Sequence, residues 1–234
     1  MAERPIFIPR SEGRALVVTK HVEFQWHPGM SVVQKQKSVD SLHAAACKIP
    51  GISRVLEVSS KSRDDIGVSL SAFNLKFTTV KYQMAISVEC AFQGSKVFER
   101  GGPYTDLYEK TSREAKKDER LITSGDLKGF RFFGVEWALE PQTAFYDWLY
   151  INTLRKNQEL SDNLEAYSAF SDIEFNPSRS INCQAYSIAL FVSLRQRGLL
   201  DEAMSSKESF LRIIENAVVS NARQDDTKQL RLRG

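Results

Sequence analysis

The stretch SVECAFQGSKVF, residues 87–98, carries three side chains whose types and spacing suit a catalytic site. Glu89, Gln93 and Lys96 stand at i, i+4 and i+7, which a helix places on one face. A carboxylate can act as an acid or base, and an amine about 10 Å away along the axis is free to hold a ligand between them. A solvated helix face would show the same stripe, and the helix dipole favours an acid in the first turn without any function. The residues alone leave both interpretations open.

A thiol lies in the same stretch and suggests a rival chemistry. Cys90 near a helix N-terminus could act as a nucleophile with help from a histidine such as His43. Its flanks form no protease-type signature, and a cysteine beside Val88 and Ala91 is typical of a small core residue. We therefore interpret Cys90 as packing.

No sequence motif predicts a metal or a cofactor. The three cysteines and three histidines lack the close pairing of a zinc site. No Walker-type or Rossmann-type glycine loop is present. We expect neither a metal nor a cofactor.

The composition predicts a globular cytoplasmic protein. The chain has 234 residues, 42% of them hydrophobic and 26% charged, which is enough for a substantial core. No apolar run approaches the roughly 18 residues that span a bilayer, and the first residues lack the apolar centre of a signal peptide. The net charge of +3 permits a phosphate-bearing ligand without requiring nucleic acid.

Periodicity predicts the elements that must position these residues. Alternating patterns predict strands at 22–27 and 54–60 and one or two short strands within 75–87. Ser31 is predicted to cap a helix that ends before 49–51, and Ser87 to cap one that runs to Glu99. Further helices are predicted, in chain order, at 111–121, 141–157 opened by Pro141, 160–167, 183–197 and 207–219 opened by a capping box at 205–208, with the stretch 129–140 partly extended.

These elements favour one α+β domain that is predominantly helical with a few short strands, over residues 1–222, followed by a frayed polar tail at 223–234. The aromatic residues between 130 and 150 are assigned mostly to the core, with a minority, Trp137 among them, available to stack on a base. Lys35 and Lys37, on the outer face of the first predicted helix, are candidates for phosphate contacts.

Four stretches, taken in order, resemble the NADAR superfamily, which is named for its association with NAD and ADP-ribose metabolism. The resemblance implies catalytic roles for Glu89 and Lys96 and covers roughly residues 55–174. The family usually has a Glu-His pair where this chain has Glu89 and Cys90. The stretches are LEVSSKSRDDIGVSLSAFNL, VECAFQGSKVF, SREAKKDER and FYDWLYINTLRKNQELSDNL. The residues predicted to bind substrate are Ser71, Phe73, Asn74, Gln93, Lys35, Trp137, Glu174 as a looser match, and Asn182.

Two phrases, AFQGSKVFERGGPYTDLY and DIEFNPSRSINCQA, resemble the NADAR branch paired with DarT-type toxins, which ADP-ribosylate DNA bases. This resemblance implies an antitoxin glycohydrolase that removes ADP-ribose from guanine in DNA. Its implied partners are ADP-ribosylated DNA, ADP-ribose and the cognate toxin, and no membrane. Two alternatives stay open. One is an N-glycosidase acting on a small phosphorylated metabolite of a riboflavin-like pathway, and the other is a non-catalytic module that binds ADP-ribosylated nucleic acid or the toxin.

Overall fold

The computed structural model describes residues 1–178 and 180–217. No helix in these residues has the length and apolar character that crossing a membrane requires. The strands are β1 (Ala2–Pro9), β2 (Val17–Phe24), β3 (Val55–Glu57), β4 (Lys76–Thr78), β5 (Ala85–Ser87), β6 (Lys96–Phe98), β7 (Leu127–Phe132), β8 (Val135–Trp137) and β9 (Ala169–Ser171). The α-helices are α1 (Val32–Ala46), α2 (Asp65–Ser69), α3 (Val88–Gly94), α4 (Ser112–Lys116), α5 (Arg120–Thr123), α6 (Ala144–Arg155), α7 (Gln158–Ser161), α8 (Gln184–Gln196), α9 (Leu200–Ala203) and α10 (Lys207–Asn216). Short 3-10 helices lie at Thr105–Glu109 and Leu164–Ala166.

The prediction of a predominantly helical fold is wrong. Helix makes up 40% of the structure and strand 19%, and the strands form three sheets, so the fold is a mixed α+β one. The largest omission is β1, eight residues long and containing Pro5 and Pro9. Proline inside a run argues against a strand in the middle of a sheet. Both prolines pair in register with β2, at His21 and Val17, and both lie outside the pairing with β9, which involves only Ile6 and Phe7.

The chain divides into two compact units. Unit 1 comprises residues 1–70 and the described residues from 159 onward, and unit 2 comprises residues 71–158. One domain over 1–222 stays a prediction. The predicted tail at 223–234 lies outside the described residues.

Unit 1 is built on a four-stranded sheet in the order β2-β1-β9-β3. β1 is antiparallel to β2 and β9, and β3 is parallel to β9. As predicted, Ser31 caps α1, its hydroxyl oxygen accepting a hydrogen bond from the Gln34 backbone N at 3.3 Å. Apolar residues from α1, the sheet and neighbouring loops form one buried cluster: Ile6, Val22, Phe24, Val39, Leu42, Ala46, Ile52, Val55, Ala169 and Ile173.

The later helices of unit 1 lie close to their predicted positions. α8 ends just before Gly198, whose φ of +68° suits glycine. α10 begins at Lys207, as predicted, but its cap is Ser206 and not Ser205 of the predicted capping box, since the Ser206 hydroxyl accepts from the Ser209 backbone N at 3.0 Å. The last residues predicted for this helix, 218 and 219, lie outside the described residues.

Unit 2 contains the β4-β5 hairpin and the antiparallel sheet β6-β7-β8. The strands predicted within 75–87 and the extended stretch within 129–140 are thereby confirmed. The helix start predicted at Pro141 is wrong, because Thr143 has a φ of +68° and α6 begins only at Ala144. Rings from α3, the three-stranded sheet and α6 contact one another and form what we call the aromatic cluster: Phe92, Phe130, Phe132, Trp137, Phe145 and Trp148.

Candidate active site

Glu89 lies in the first turn of α3, whose start is held by two neighbouring segments. As predicted, Ser87 caps the helix, accepting a hydrogen bond from the Cys90 backbone N at 3.1 Å. The Glu89 backbone N donates to the Ala72 carbonyl at 2.9 Å. The hydroxyls of Ser87 and Ser112, the first residue of α4, hydrogen-bond at 2.8 Å. The backbone at Glu89 is therefore fixed by the turn before β4 and by the start of α4.

The Glu89 carboxylate is buried but only partly satisfied. Glu89 is only 6% exposed to solvent. Oε1 accepts a hydrogen bond from Gln93 Nε2 at 2.9 Å and lies 3.8 Å from Lys116 Nζ. Within the described residues no group donates to Glu89 Oε2, and the buried Gln93 Oε1 has no partner there. Gln93 Oε1 is a buried oxygen, which is costly to leave unsatisfied, and Glu89 Oε2 is open to a further donor, so these two are atoms at which a ligand can bind.

Lys96 does not lie on the same helix as Glu89, so the predicted i, i+4, i+7 stripe is wrong. α3 ends at Gly94, and Lys96 is the first residue of β6. The Ser95 carbonyl accepts a hydrogen bond from the Arg131 backbone N at 2.7 Å, and Lys96 pairs with Phe130 of β7. Pairing with β7 thus ends the helix well before Glu99.

The strand still brings Lys96 next to Glu89. Its Nζ lies 4.9 Å from the centroid of the Phe92 ring, a cation–π contact. Burial lowers the pKa of the Lys96 ammonium below its ordinary value, while the charge of Glu89 raises it and that of Lys116 lowers it. Glu89, Gln93 and Lys96 are therefore assembled at a helix-to-strand junction.

Lys116 is a site residue that the sequence reasoning missed. It ends α4, a helix that starts with a capping box between Thr111 and Glu114. Besides approaching Glu89, its Nζ lies 5.0 Å from the centroid of the Phe73 ring. Its side chain is 58% exposed. Lys116 lies in SREAKKDER, one of the stretches that resemble the family. The spacing of this stretch does not show whether Lys116 or Lys117 faces Glu89.

Ser71, Phe73 and Asn74 lie in the turn that precedes β4. Ser71 is buried, and its carbonyl accepts from the Asn74 backbone N at 2.8 Å. The Phe73 carbonyl accepts from the Ser112 hydroxyl at 2.8 Å, which holds Phe73 beside Lys116. Phe73 is partly exposed and Asn74 is exposed. Ser71 therefore shapes the turn, while Phe73 and Asn74 present surface that a ligand can touch.

Trp137 belongs to the aromatic cluster. It is 4% exposed, and its ring centroid lies 5.5 Å from that of Phe145 and 5.1 Å from that of Trp148. Rings packed in this way contribute to the core. The structure shows no exposed ring face at Trp137 on which a base could stack.

The remaining predicted binding residues lie in unit 1. Lys35 Nζ forms an ion pair with Glu174 Oε1 at 3.1 Å and lies 4.8 Å from the ring centroid of Trp26. Asn182 is partly buried, and its carbonyl accepts from the Ser180 hydroxyl at 3.2 Å. Lys35 and Glu174 are thus brought together, each as the charge partner of the other.

We call Glu89, Gln93, Lys96, Lys116 and Phe73 the Glu89 site. Its two ammonium groups outnumber its one carboxylate, which favours an anionic ligand. The second carboxylate oxygen can take a proton from water or face a developing positive charge. No group of three or more potential metal-ligating side chains (His, Cys, Asp or Glu) is placed to hold a metal ion in the part of the chain that the structure describes.

Replacing Cys90 by alanine is expected to leave the activity of the Glu89 site unchanged. The thiol is 1% exposed and donates to the Lys110 carbonyl at 3.1 Å, and His43 hydrogen-bonds the Ser171 hydroxyl at 2.9 Å. Losing this buried sulfur should cost about 1 kcal/mol of stability. Initial rates and melting temperature check this, and a folded but inactive Cys90→Ala protein would revive the thiol mechanism.

A second group of buried titratable side chains lies in unit 1, within two of the stretches that resemble the NADAR superfamily. Glu57 accepts hydrogen bonds from two serine hydroxyls, each at 2.6 Å, and from the Ile173 backbone N at 2.8 Å. Asp172 accepts from Gln184 Nε2 at 3.0 Å. Burial raises the pKa of Glu57, and burial together with the Glu57 charge raises the pKa of Asp172 to about 8. This number of donors fits an acid pair that stabilises the fold.

Replacing Asp172 by asparagine should make the stability less dependent on pH between 7 and 8. A carboxyl whose folded pKa is raised to about 8 keeps its proton in the folded state and loses it in the unfolded state. Its stabilisation is therefore lost as the pH rises through 8, by on the order of 1 kcal/mol per pH unit. His43, whose pKa burial lowers to about 4, is mostly neutral in both states above pH 7.

Calorimetry at pH 7 and pH 8 tests this expectation. The free energy of unfolding of Asp172→Asn, relative to the parent, should rise between the two pH values. The control Asp162→Asn makes the same change at an exposed carboxyl of unit 1 and should follow the parent. If the free energy of unfolding of Asp172→Asn changed between the two pH values as much as that of the parent, the raised pKa of Asp172 would be contradicted.

One known protein family matches almost the whole chain. The family model described as DarT1-associated NADAR antitoxin matches residues 2–224, a range that includes every residue of the Glu89 site. This match confirms the resemblance to the NADAR superfamily and to its DarT-associated branch. A search of curated proteins found no match.

Proposed function

This chain belongs to the DarT1-associated NADAR antitoxin family, and we propose that it acts there as a glycohydrolase that removes ADP-ribose from guanine bases in DNA. The observation that carries the proposal is the buried Glu89 carboxylate, with one oxygen held by Gln93 and the other without a donor in the described chain. An acid placed in this way, beside two ammonium groups, suits cleavage of a glycosidic bond on an anionic substrate.

In the proposed reaction, water adds to the anomeric carbon of the ribose while the bond from that carbon to the guanine nitrogen breaks. The bonding electron pair goes to the guanine nitrogen, which takes a proton from solvent, and the proton that Glu89 accepts afterwards returns to solvent. The attacking water loses a proton to Glu89. The ribose acquires oxocarbenium character during this step, and the Glu89 charge stabilises it. The products are free ADP-ribose and unmodified guanine in the strand.

Lys96 and Lys116 are assigned to the anionic part of the substrate. ADP-ribose carries a diphosphate, and hydrogen bonds between ammonium and phosphate are charge-assisted and strong. Lys96 is held by Phe92 and is partly buried, so it is the better positioned of the two. Lys116 is mainly exposed, so its ammonium group can be reached from solvent. The Phe73 ring between the turn and Lys116 offers an aromatic face for a base.

The direct test is incubation of the protein with an oligonucleotide that carries ADP-ribosylated guanine, followed by chromatography of released ADP-ribose. Catalytic release, inhibited by millimolar free ADP-ribose, is the expected result. Turnover of a small phosphorylated N-glycoside instead would indicate the metabolite enzyme. Stoichiometric binding without product would indicate a non-catalytic module.

A further inference from the structure

A cavity of about 300 Å³ opens in unit 2 between the tips of two β-hairpins. One tip is the loop 79–84 between β4 and β5, and the other is the turn 133–134 between β7 and β8. Phe77, Phe132 and residues of α6 line the cavity between them. Its volume is at the lower end of the range for ligand pockets, so it suits one aromatic group rather than a long chain segment.

Both hairpin tips expose large apolar side chains. Val80 is 89% exposed, Tyr82 68% and Phe133 56%. Single exposed apolar residues are ordinary, but several together around a concave surface mark a place where another molecule binds. Val80 and Tyr82 lie on one tip and Phe133 on the other, so an exposed aromatic residue stands on each side of the cavity.

The backbone at Phe133 strengthens this point. Phe133 has a φ of +44° and Gly134 a φ of +85°, and a two-residue hairpin turn with both φ values positive ordinarily carries Asn-Gly. A bulky residue in the left-handed region is unfavourable. The Phe133 ring contacts Phe132 at 4.6 Å and Tyr108 at 5.8 Å between centroids, yet more than half of the residue remains exposed. A strained and exposed aromatic residue of this kind is typical of a binding site.

The charges and polar groups around the cavity indicate the class of ligand. Lys81 and Lys156 line it and are exposed, and no aspartate or glutamate does. Neither lysine makes an ion pair with any residue that the structure describes, and their Nζ atoms lie 5.0 Å from the Tyr82 ring and 5.7 Å from the Phe77 ring. Asn152 also lines the cavity, and a side-chain amide can both donate to and accept from a base edge.

We propose that this cavity binds one unpaired base of the DNA strand that carries the modified guanine. The base would stack on Tyr82 and Phe133 with its edge toward Asn152, and the adjacent phosphates would contact Lys81 and Lys156. Aromatic rings combined with a cationic rim are the arrangement by which proteins hold single strands. The choice of DNA as the strand rests on the proposed function, whereas the stacking surface does not.

The test measures the affinity for a fluorescein-labelled, unmodified single-stranded oligodeoxynucleotide by fluorescence anisotropy. Tyr82→Ala and Phe133→Asn should each raise the Kd by roughly 5-fold or more, the usual effect of losing one stacked ring. Phe133→Asn creates the favoured Asn-Gly turn, so its melting temperature should not fall. If Phe133→Asn loses affinity for the oligonucleotide but keeps its melting temperature, misfolding cannot explain the loss. Ile122→Ala, which removes an apolar side chain that is 84% exposed elsewhere in unit 2, is the control and should bind normally.

A salt titration separates the charge contribution. Lys156→Ala should make the slope of log affinity against log salt shallower by about 0.7, as expected for one phosphate contact on a single strand. Lys128→Ala, at an exposed lysine outside the cavity lining, should leave the slope unchanged.

An unchanged Kd for both Tyr82→Ala and Phe133→Asn, or no binding of the oligonucleotide by the parent protein, would overturn the proposal. So would variants that lose binding to a DarT-type toxin while they keep the oligonucleotide, because the surface would then be a protein interface. The oligonucleotide carries no ADP-ribose, so failure of the glycohydrolase assay alone would leave this result intact.

Discussion

Glu89→Gln should lower the turnover of ADP-ribosyl-guanine DNA by at least about 100-fold, the lower range for removing a positioned acid or base. Glutamine keeps the shape of the side chain and an oxygen that can accept from Gln93, as Glu89 Oε1 does at 2.9 Å. It cannot take a proton from water or carry the charge that faces the ribose. The loss should appear in kcat, because the charge acts on the transition state.

The matched control for this change is Glu109→Gln, the same substitution at an exposed glutamate of unit 2. It should retain parental turnover. Melting temperatures of both variants show whether either has unfolded. A folded Glu89→Gln protein with the parental rate would remove Glu89 from the mechanism.

Lys96→Met should lower kcat/KM by about 10- to 100-fold, the range for losing a hydrogen bond to a charged group. Methionine fills similar space and can keep a contact with the Phe92 ring, which Lys96 Nζ now approaches to 4.9 Å. The change therefore removes the charge with little change in packing. If Lys96 holds the diphosphate, most of the effect should be in KM.

Two further variants define what this result means. Lys116→Ala should have a smaller effect, because its side chain is 58% exposed and exposed charges are screened. Lys128→Met, at an exposed lysine, should have none. Equal losses of kcat/KM in Lys96→Met and Lys116→Ala would contradict the proposal that the more buried lysine, Lys96, contributes more to substrate binding.

The sequence predicted those parts of unit 2 that are determined by interactions between residues close together in the chain. Ser87 was identified as a helix cap because a hydroxyl before an apolar-periodic run satisfies the first free amides. Glu89 and Gln93 follow within that helix and meet as i and i+4 neighbours. The two short strands around 75–87 were visible as alternating patterns between turn residues.

Long-range pairing decided the parts that the sequence could not show. Helix propensity alone would continue α3 past Gly94, but the Ser95 carbonyl bonds to Arg131, far along the chain, and Lys96 becomes a strand residue. Lys116 reaches Glu89 only because α4 folds against α3. Tertiary contacts of this kind override local propensity.

The same limit applies to unit 1. β3 pairs with β9 through Val55 and Ala169, and this pairing positions the buried acids Glu57 and Asp172. Both acids lie in stretches that resemble the family, but the sequence does not show that they meet, since hydrogen bonds across more than a hundred residues assemble their surroundings. β1 was not predicted, because its two prolines disfavour a strand. Its pairing with β9 does not include either proline.

The most direct measurement is the intact mass of an oligonucleotide with one ADP-ribosylated guanine, after incubation with the protein in water enriched in heavy oxygen. Hydrolysis at the Glu89 site predicts that the strand returns to the mass of the unmodified oligonucleotide, that the released ADP-ribose gains one heavy oxygen, and that Glu89→Gln slows both changes. A strand that keeps its ADP-ribose at excess protein would contradict the account, as would removal at the same rate by Glu89→Gln.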